Sequence, residues 1–160
     1  MRRLALAASI EIRSDDDGRL VRGEFPYLNR TLARGRGEVF MRGAFSNALK
    51  SGAPISLLIG HDNANVIATT HDGLRVEEND TGLTFESRAS DQHIDQITRE
   101  CNGVSVGFEV RRGGDFYSRF DGKPTRIIRD CDLFEISLVK DAAYSNTRVE
   151  VRERRRNKWR

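Results

Sequence analysis

The chain is short of the features that would announce several common protein classes. Among 160 residues there are only two cysteines, Cys101 and Cys131. They have no C-x-x-C spacing and no clustered histidine, which argues against a zinc site, and in a reducing compartment both are expected as free thiols in the core. No long apolar run is present. Leu4 to Ala8, behind Arg2 and Arg3, is too short for a signal-peptide core, and acidic residues follow at Glu11 and Asp15 to Asp17. We therefore expect no membrane association and a cytoplasmic location. Internal repeats and low-complexity linkers are absent, as are the G-x-x-x-x-G-K-[ST] phosphate loop and the G-x-S-x-G elbow. No cofactor is expected.

What is present is the composition of one globular domain, 38% hydrophobic and 32% charged. The net charge of +3 is unevenly placed. Arg148 to Arg160 holds seven basic and two acidic residues, so the remainder of the chain is net acidic. This divides the protein into a body, residues 1–150, and a basic tail, residues 151–160. The tail reads as a solvated end, or as an interaction or self-cleavage segment. An acidic body whose aromatics do not alternate with basic residues is a poor nucleic-acid binder, and none is expected as a partner.

Patterning points to many short strands. Residues 1–13 read as a strand, Asp15-Asp16-Asp17-Gly18 as a turn, Arg19 to Phe25 as the hairpin partner, and Pro26 to Gly37 as a loop. Phe45, Ala48 and Leu49 have helical spacing, ended by Gly52 and Pro54. Ile55 to His61, Asn65 to Thr70, Leu74 to Glu78 and Leu83 to Arg88 follow as strands. Ile94, Ile97 and Cys101 form one stripe of a helix capped near Ser90 or Asp91, with Asn102-Gly103 as its stop. Gly103 to Arg111 alternates clearly. Asp121-Gly122 marks a hairpin tip, and Leu133 to Lys140 is the last strong strand. The expected fold is mostly β: a small antiparallel barrel or sandwich with a few packed helices.

Three residues stand out for chemistry. Ser105 alternates against Val104, Val106, Phe108 and Val110, so with Gly107 it faces outward or into a cleft; the plainer reading is an exposed strand serine. His61 ends an apolar strand and in register shares a face with Ile55, Leu57 and Ile59. A restricted imidazole there suits a general base, or is simply a satisfied structural histidine. Glu135 shares a face with Leu133, Ser137 and Val139, between apolar neighbours, and needs a partner. An imidazole N–H fits, and so does an arginine. Ser137 competes with Ser105 as a nucleophile. Cys101 reads as buried, and Cys131 as blunted by Asp130 and Asp132. His71, in a turn, and His93, in the first helical turn, are weaker candidates.

The order of short motifs carries a resemblance. Gly43-Ala44-Phe45, Leu57-Leu58-Ile59-Gly60-His61-Asp62, Ala68-Thr69-Thr70, Gly82-Leu83-Thr84-Phe85, Val104-Ser105-Val106-Gly107-Phe108, Leu133 to Val139 and Ala142-Ala143-Tyr144 together resemble the HK97-type prohead protease family over about residues 20–150. Asp141-Ala142 stands where that family often has proline, and Val106 where it often has phenylalanine. The resemblance implies a serine endopeptidase unrelated to trypsin, with a barrel like that of herpesvirus assemblin. It implies Ser105 as nucleophile, His61 as base and Glu135 as third member. It further implies cleavage of scaffold and capsid-protein segments, and of the protease itself, inside an assembling prohead in the host cytoplasm. The major capsid protein and its scaffold segment are the partners expected, with a homodimer as the working form. The competing class is a non-catalytic capsid-assembly or scaffold module on the same fold.

Overall fold

The computed structural model describes residues 2–6, 10–33, 36–140 and 149–153. In chain order the elements are β1 (Arg2–Leu6), β2 (Ile10–Asp15), β3 (Gly18–Pro26), β4 (Thr31–Ala33), β5 (Arg36–Phe40), α1 (Ser46–Lys50), β6 (Ser56–Ile59), β7 (Val66–Thr69), β8 (Arg75–Glu78), β9 (Gly82–Ala89), α2 (Asp91–Glu100), β10 (Gly103–Val110), β11 (Asp115–Phe120), β12 (Lys123–Ile128), β13 (Cys131–Val139) and β14 (Val149–Glu153). Among the described residues no helix is long and apolar enough to cross a membrane.

Local chemistry accounts for many boundaries. Asp15 Oδ1 accepts the Asp17 N–H at 2.9 Å in the turn that joins β2 to β3. Asp121 and Gly122 both take positive φ, 50° and 74°, which is the backbone twist that a two-residue hairpin between β11 and β12 demands. Ser90 caps α2 by accepting the His93 N–H at 3.1 Å, and Ile94 and Ile97 are the buried stripe. The helix stops just before Asn102-Gly103, as expected, but without a left-handed glycine. Cys101 turns extended, the Asn102 N–H donates to Val139 O at 2.8 Å, and Gly103 is already the first residue of β10. The expected first strand is two, β1 and β2, in different sheets. The expected loop after Pro26 contains β4, which pairs with β5.

The strands form three sheets, ordered β1-β10-β13-β6-β7, β11-β12-β5-β4 and β14-β2-β3-β9-β8. The mostly-β expectation holds, but among the described residues no sheet closes on itself, so the closed barrel is not the arrangement found. Nor is the pairing all antiparallel: β12–β5, β13–β6 and β14–β2 are parallel. Such pairings join strands far apart in sequence, and alternation within a strand says nothing of them. β14 lies across the expected boundary between residues 150 and 151, while residues 154–160 fall outside those described.

One aromatic cluster ties the sheets together. Phe40 of β5 meets Phe25 of β3 edge-on at 5.4 Å between ring centroids, Phe108 of β10 edge-on at 4.9 Å, and Phe45 in a stacked arrangement at 5.0 Å. Each sheet contributes one ring to these contacts. Cys101 and Cys131 are free, buried and part of the same core. Burial, with Glu100 adding to it, pushes the Cys101 thiol up to about 11. Cys131 rises to about 12, with burial the leading cause and Asp130 and Asp132 secondary, so the flanking aspartates are not the main reason for its inertness.

Three outcomes follow from this core. Phe40→Ala should lower the stability to urea by about 3–5 kcal/mol, the cost of a large aromatic cavity; a change below about 1 kcal/mol would show that the rings do not hold the sheets together. Both thiols have folded-state pKa values raised above the unfolded one, near 9. The stabilisation from keeping them neutral is therefore complete below pH 9 and is lost as the pH rises toward 11 and 12. The urea midpoint should fall progressively above pH 9. Iodoacetamide at pH 8, read by intact mass, should modify neither cysteine in the native protein and both in denaturant.

Candidate active site

The site is organised by β13, which lies between antiparallel β10 and parallel β6. The register runs Ser105↔Ser137 and Gly107↔Glu135, then jumps to Phe108↔Leu133. Phe134 is thus an extra residue in β13, bulged out and 42% exposed. The bulge resets the alternation. Leu133 packs in the main core with Ile136 and Leu138, so it does not share a face with Glu135 as simple period-two counting suggested. Glu135 and Ser137 lie on the opposite face, and Ser105, the cross-strand partner of Ser137, lies there too.

This face is closed. Ser105 is 1% exposed, Ser137 0% and Glu135 3%. The exposed-serine reading of Ser105 is therefore wrong: both sides of β10 are covered as far as Phe108. Among the described residues neither Ser105 Oγ nor Ser137 Oγ has a hydrogen-bond partner. A buried polar group left in this state costs about 1–3 kcal/mol and calls for an explanation.

His61 reaches this face by leaving the strand. β6 ends at Ile59, and the Gly60 N–H donates to Leu138 O at 2.9 Å. Gly60 and His61 then take left-handed backbone, φ 64° and 59°. Strand register consequently does not extend to His61, and its expected alignment with Ile55, Leu57 and Ile59 fails. The turn instead brings the imidazole against β13, with Nδ1 2.7 Å from Glu135 Oε1. A carboxylate only accepts, so Nδ1 carries the proton and Nε2 keeps its lone pair. The imidazole and the Ser105 hydroxyl belong to one face of one sheet, a strand apart.

The remaining candidates are placed elsewhere. His71 Nε2 lies 3.2 Å from Gly52 O at the surface. His93 Nε2 lies 3.0 Å from Asn65 Oδ1, and Asn65 Nδ2 donates to Gln96 Oε1 at 2.9 Å. Asn65 and Gln96 drew no attention in the sequence, because an amide has no motif and only the pairing of a turn with a distant helix gives it meaning. Among the described residues no group of three or more His, Cys, Asp or Glu side chains is arranged to hold a metal ion.

Searches of curated proteins and of solved structures returned no significant match. A family model described as caudovirus prohead serine protease matches residues 8–159, a span that takes in Ser105, His61 and Glu135 and nearly all of the chain. On the breadth of that match, the chain belongs to the caudovirus prohead serine protease family.

Proposed function

We propose that the chain is an endopeptidase that cleaves scaffold and capsid-protein segments, and itself, during prohead maturation, with Ser105 as nucleophile, His61 as general base and Glu135 as the group that orients the base. The observation that carries this reading is the 2.7 Å contact between His61 Nδ1 and Glu135 Oε1, on the sheet face that also holds the Ser105 hydroxyl. It leaves Nε2 as the only ring nitrogen able to take a proton. In the forward step the Ser105 Oγ bonds to the scissile carbonyl carbon and its proton passes to His61 Nε2. The tetrahedral species collapses as His61 returns that proton to the leaving amine, and water then releases the acyl group by the same exchange. Glu135 stays ionised throughout and stabilises the imidazolium.

The covered Ser105 gives the proposal a regulatory side. A peptide must displace whatever lies over the serine before attack, so the described state is a resting one. Dimerisation, or crowding beside the major capsid protein in the prohead, is the proposed trigger. The likeness to assemblin belongs to this proposal at the level of a strand-rich core. So does the division into a catalytic body, residues 1–150, and a basic tail, residues 151–160, that meets acidic scaffold.

A second reading is favoured by the absence of any hydrogen bond to Ser105 Oγ: a capsid-assembly or scaffold module that keeps the fold without the chemistry. Co-expression with the cognate capsid protein, read by intact mass, separates the two. Wild type should process its partner. Ser105→Ala should lose processing by about 10³-fold or more with an unchanged circular dichroism spectrum, and Ser137→Ala should retain it. Unchanged processing by Ser105→Ala would establish the module, and loss in Ser137→Ala alone would move the nucleophile two strand positions from Glu135. Glu135→Gln should lower the cleavage rate by about 10²–10⁴-fold, since an amide no longer selects the Nδ1–H tautomer. Specific activity should rise with protein concentration in dilution series; a flat profile would remove the association trigger.

A further inference from the structure

His61 sits in a backbone conformation that a non-glycine residue does not take without support. Left-handed φ in such a residue costs about 1 kcal/mol or more and persists where surrounding contacts over-determine it. The turn itself supplies some of them. The Asp62 N–H donates to Ile59 O at 3.2 Å, the Asn65 N–H to Asp62 O at 2.9 Å, and the Ile59 N–H to Asn65 O at 3.2 Å. Asp62 Oδ1 accepts the Ala64 N–H at 2.8 Å. These bonds close the loop on the end of β6, and the Gly60 N–H bond to Leu138 O and the His61–Glu135 contact hold its first half to β13.

The second half of the loop is held by α2. His93 and Gln96, one turn apart on the helix, both reach Asn65. The bonding directions are mutually determined. Asn65 Oδ1 accepts, so His93 donates from Nε2–H; Asn65 Nδ2 donates, so Gln96 presents its carbonyl oxygen. The Gln96 amide in turn donates to Glu100 Oε2 at 3.1 Å. All three helix residues lie along one flank of α2, beside the buried stripe of Ile94 and Ile97. The C-terminal end of the same helix passes without a loop into β10, where Asn102 and Gly103 pair with Val139 and Ser105 follows two residues later. One short rigid element thus grips the turn that carries the base and leads directly into the strand that carries the nucleophile.

We propose that α2 is the positioning element of the site: His93 and Gln96, acting through Asn65, hold the His61 turn in its left-handed form and set its spacing from Ser105. Neither residue touches substrate. The inference rests on the peptidase reading above and adds to it the residues that keep the base in place. Small errors in such spacing are costly, because a displacement of about 1 Å from the productive geometry loses on the order of 10²-fold in rate.

The test is the rate at which a fluorophosphonate–rhodamine probe labels the full-length protein. Ser105 Oγ bonds to phosphorus, fluoride leaves, and His61 takes the hydroxyl proton, so no peptide substrate is required. His93→Ala and Asn65→Ala should each slow labelling by about tenfold, and the double variant should be no slower than either alone, because both act through one contact. His93→Gln retains an N–H donor and should recover to within about twofold of wild type. An NMR readout accompanies the kinetics: the His61 Nδ1–H resonance should be sharp in wild type and in His93→Gln, and broadened in His93→Ala. Should Asn65→Ala fail to fold, the His93 pair of variants decides the matter alone. Labelling of His93→Ala at the wild-type rate, or of His93→Gln as slowly as His93→Ala, overturns the proposal. Those results differ from failure of the peptidase reading itself, in which wild type, at a concentration that supports processing of the capsid protein, labels no faster than Ser105→Ala, and which would take this inference with it.

Discussion

The carboxylate of Glu135 is almost wholly enclosed, and the imidazole of His61 is a partner that helps to make its enclosure tolerable. A carboxylate withdrawn from water costs several kcal/mol unless charge or hydrogen bonding compensates it. The compensation here imposes conditions on distant parts of the chain. β6 has to run parallel to β13 so that its end arrives at the Leu138 level, and the chain has to break from the strand there. Glycine at position 60 accepts the left-handed turn at no steric cost, and His61 follows it in the same conformation. Removal of the imidazole would take a compensating hydrogen bond from a buried carboxylate, so the contact couples stability to the same atoms that are proposed to carry the chemistry.

Much of the local structure was legible because its causes are local. The alternation of Val104, Val106 and Phe108 sets β10, the Asp121-Gly122 pair sets a hairpin tip, and Ser90 begins α2 for the reason that serine caps helices. The features that escaped the sequence are those made by one strand acting on another. The bulge at Phe134 exists only relative to β10, and it separates Leu133 from Glu135 although both have the same parity. Simple counting carried the strand through His61, where a left-handed φ stops it. Ser105 was expected to face solvent or a cleft because one side of β10 is apolar; in fact the other side is covered as well. Open sheets with three parallel pairings replaced the expected barrel for the same reason, since no period within a strand encodes its neighbour. The candidate residues themselves were named from their types and order, while the contact between Nδ1 and Oε1 could come only from the fold.

Ser105 and Ser137 pose the sharper physical question. They stand opposite one another on neighbouring strands, both enclosed, and among the described residues neither hydroxyl has a hydrogen-bond partner. Alanine at either position would occupy nearly the same space without the desolvation cost, so stability alone gives no reason for two serines there. A site that must receive a peptide does give one. The backbone of an extended substrate brings a row of N–H and C=O groups that pair readily with what the resting protein leaves unpaired. On that reasoning the penalty in the closed state becomes driving force for the occupied one, and the enclosure that withholds Ser105 from solvent also withholds it from unintended peptides. The aromatic cluster of Phe25, Phe40, Phe45 and Phe108 packs against the apolar side of the same sheet through Phe108, so the polar side with its two serines is backed by the core.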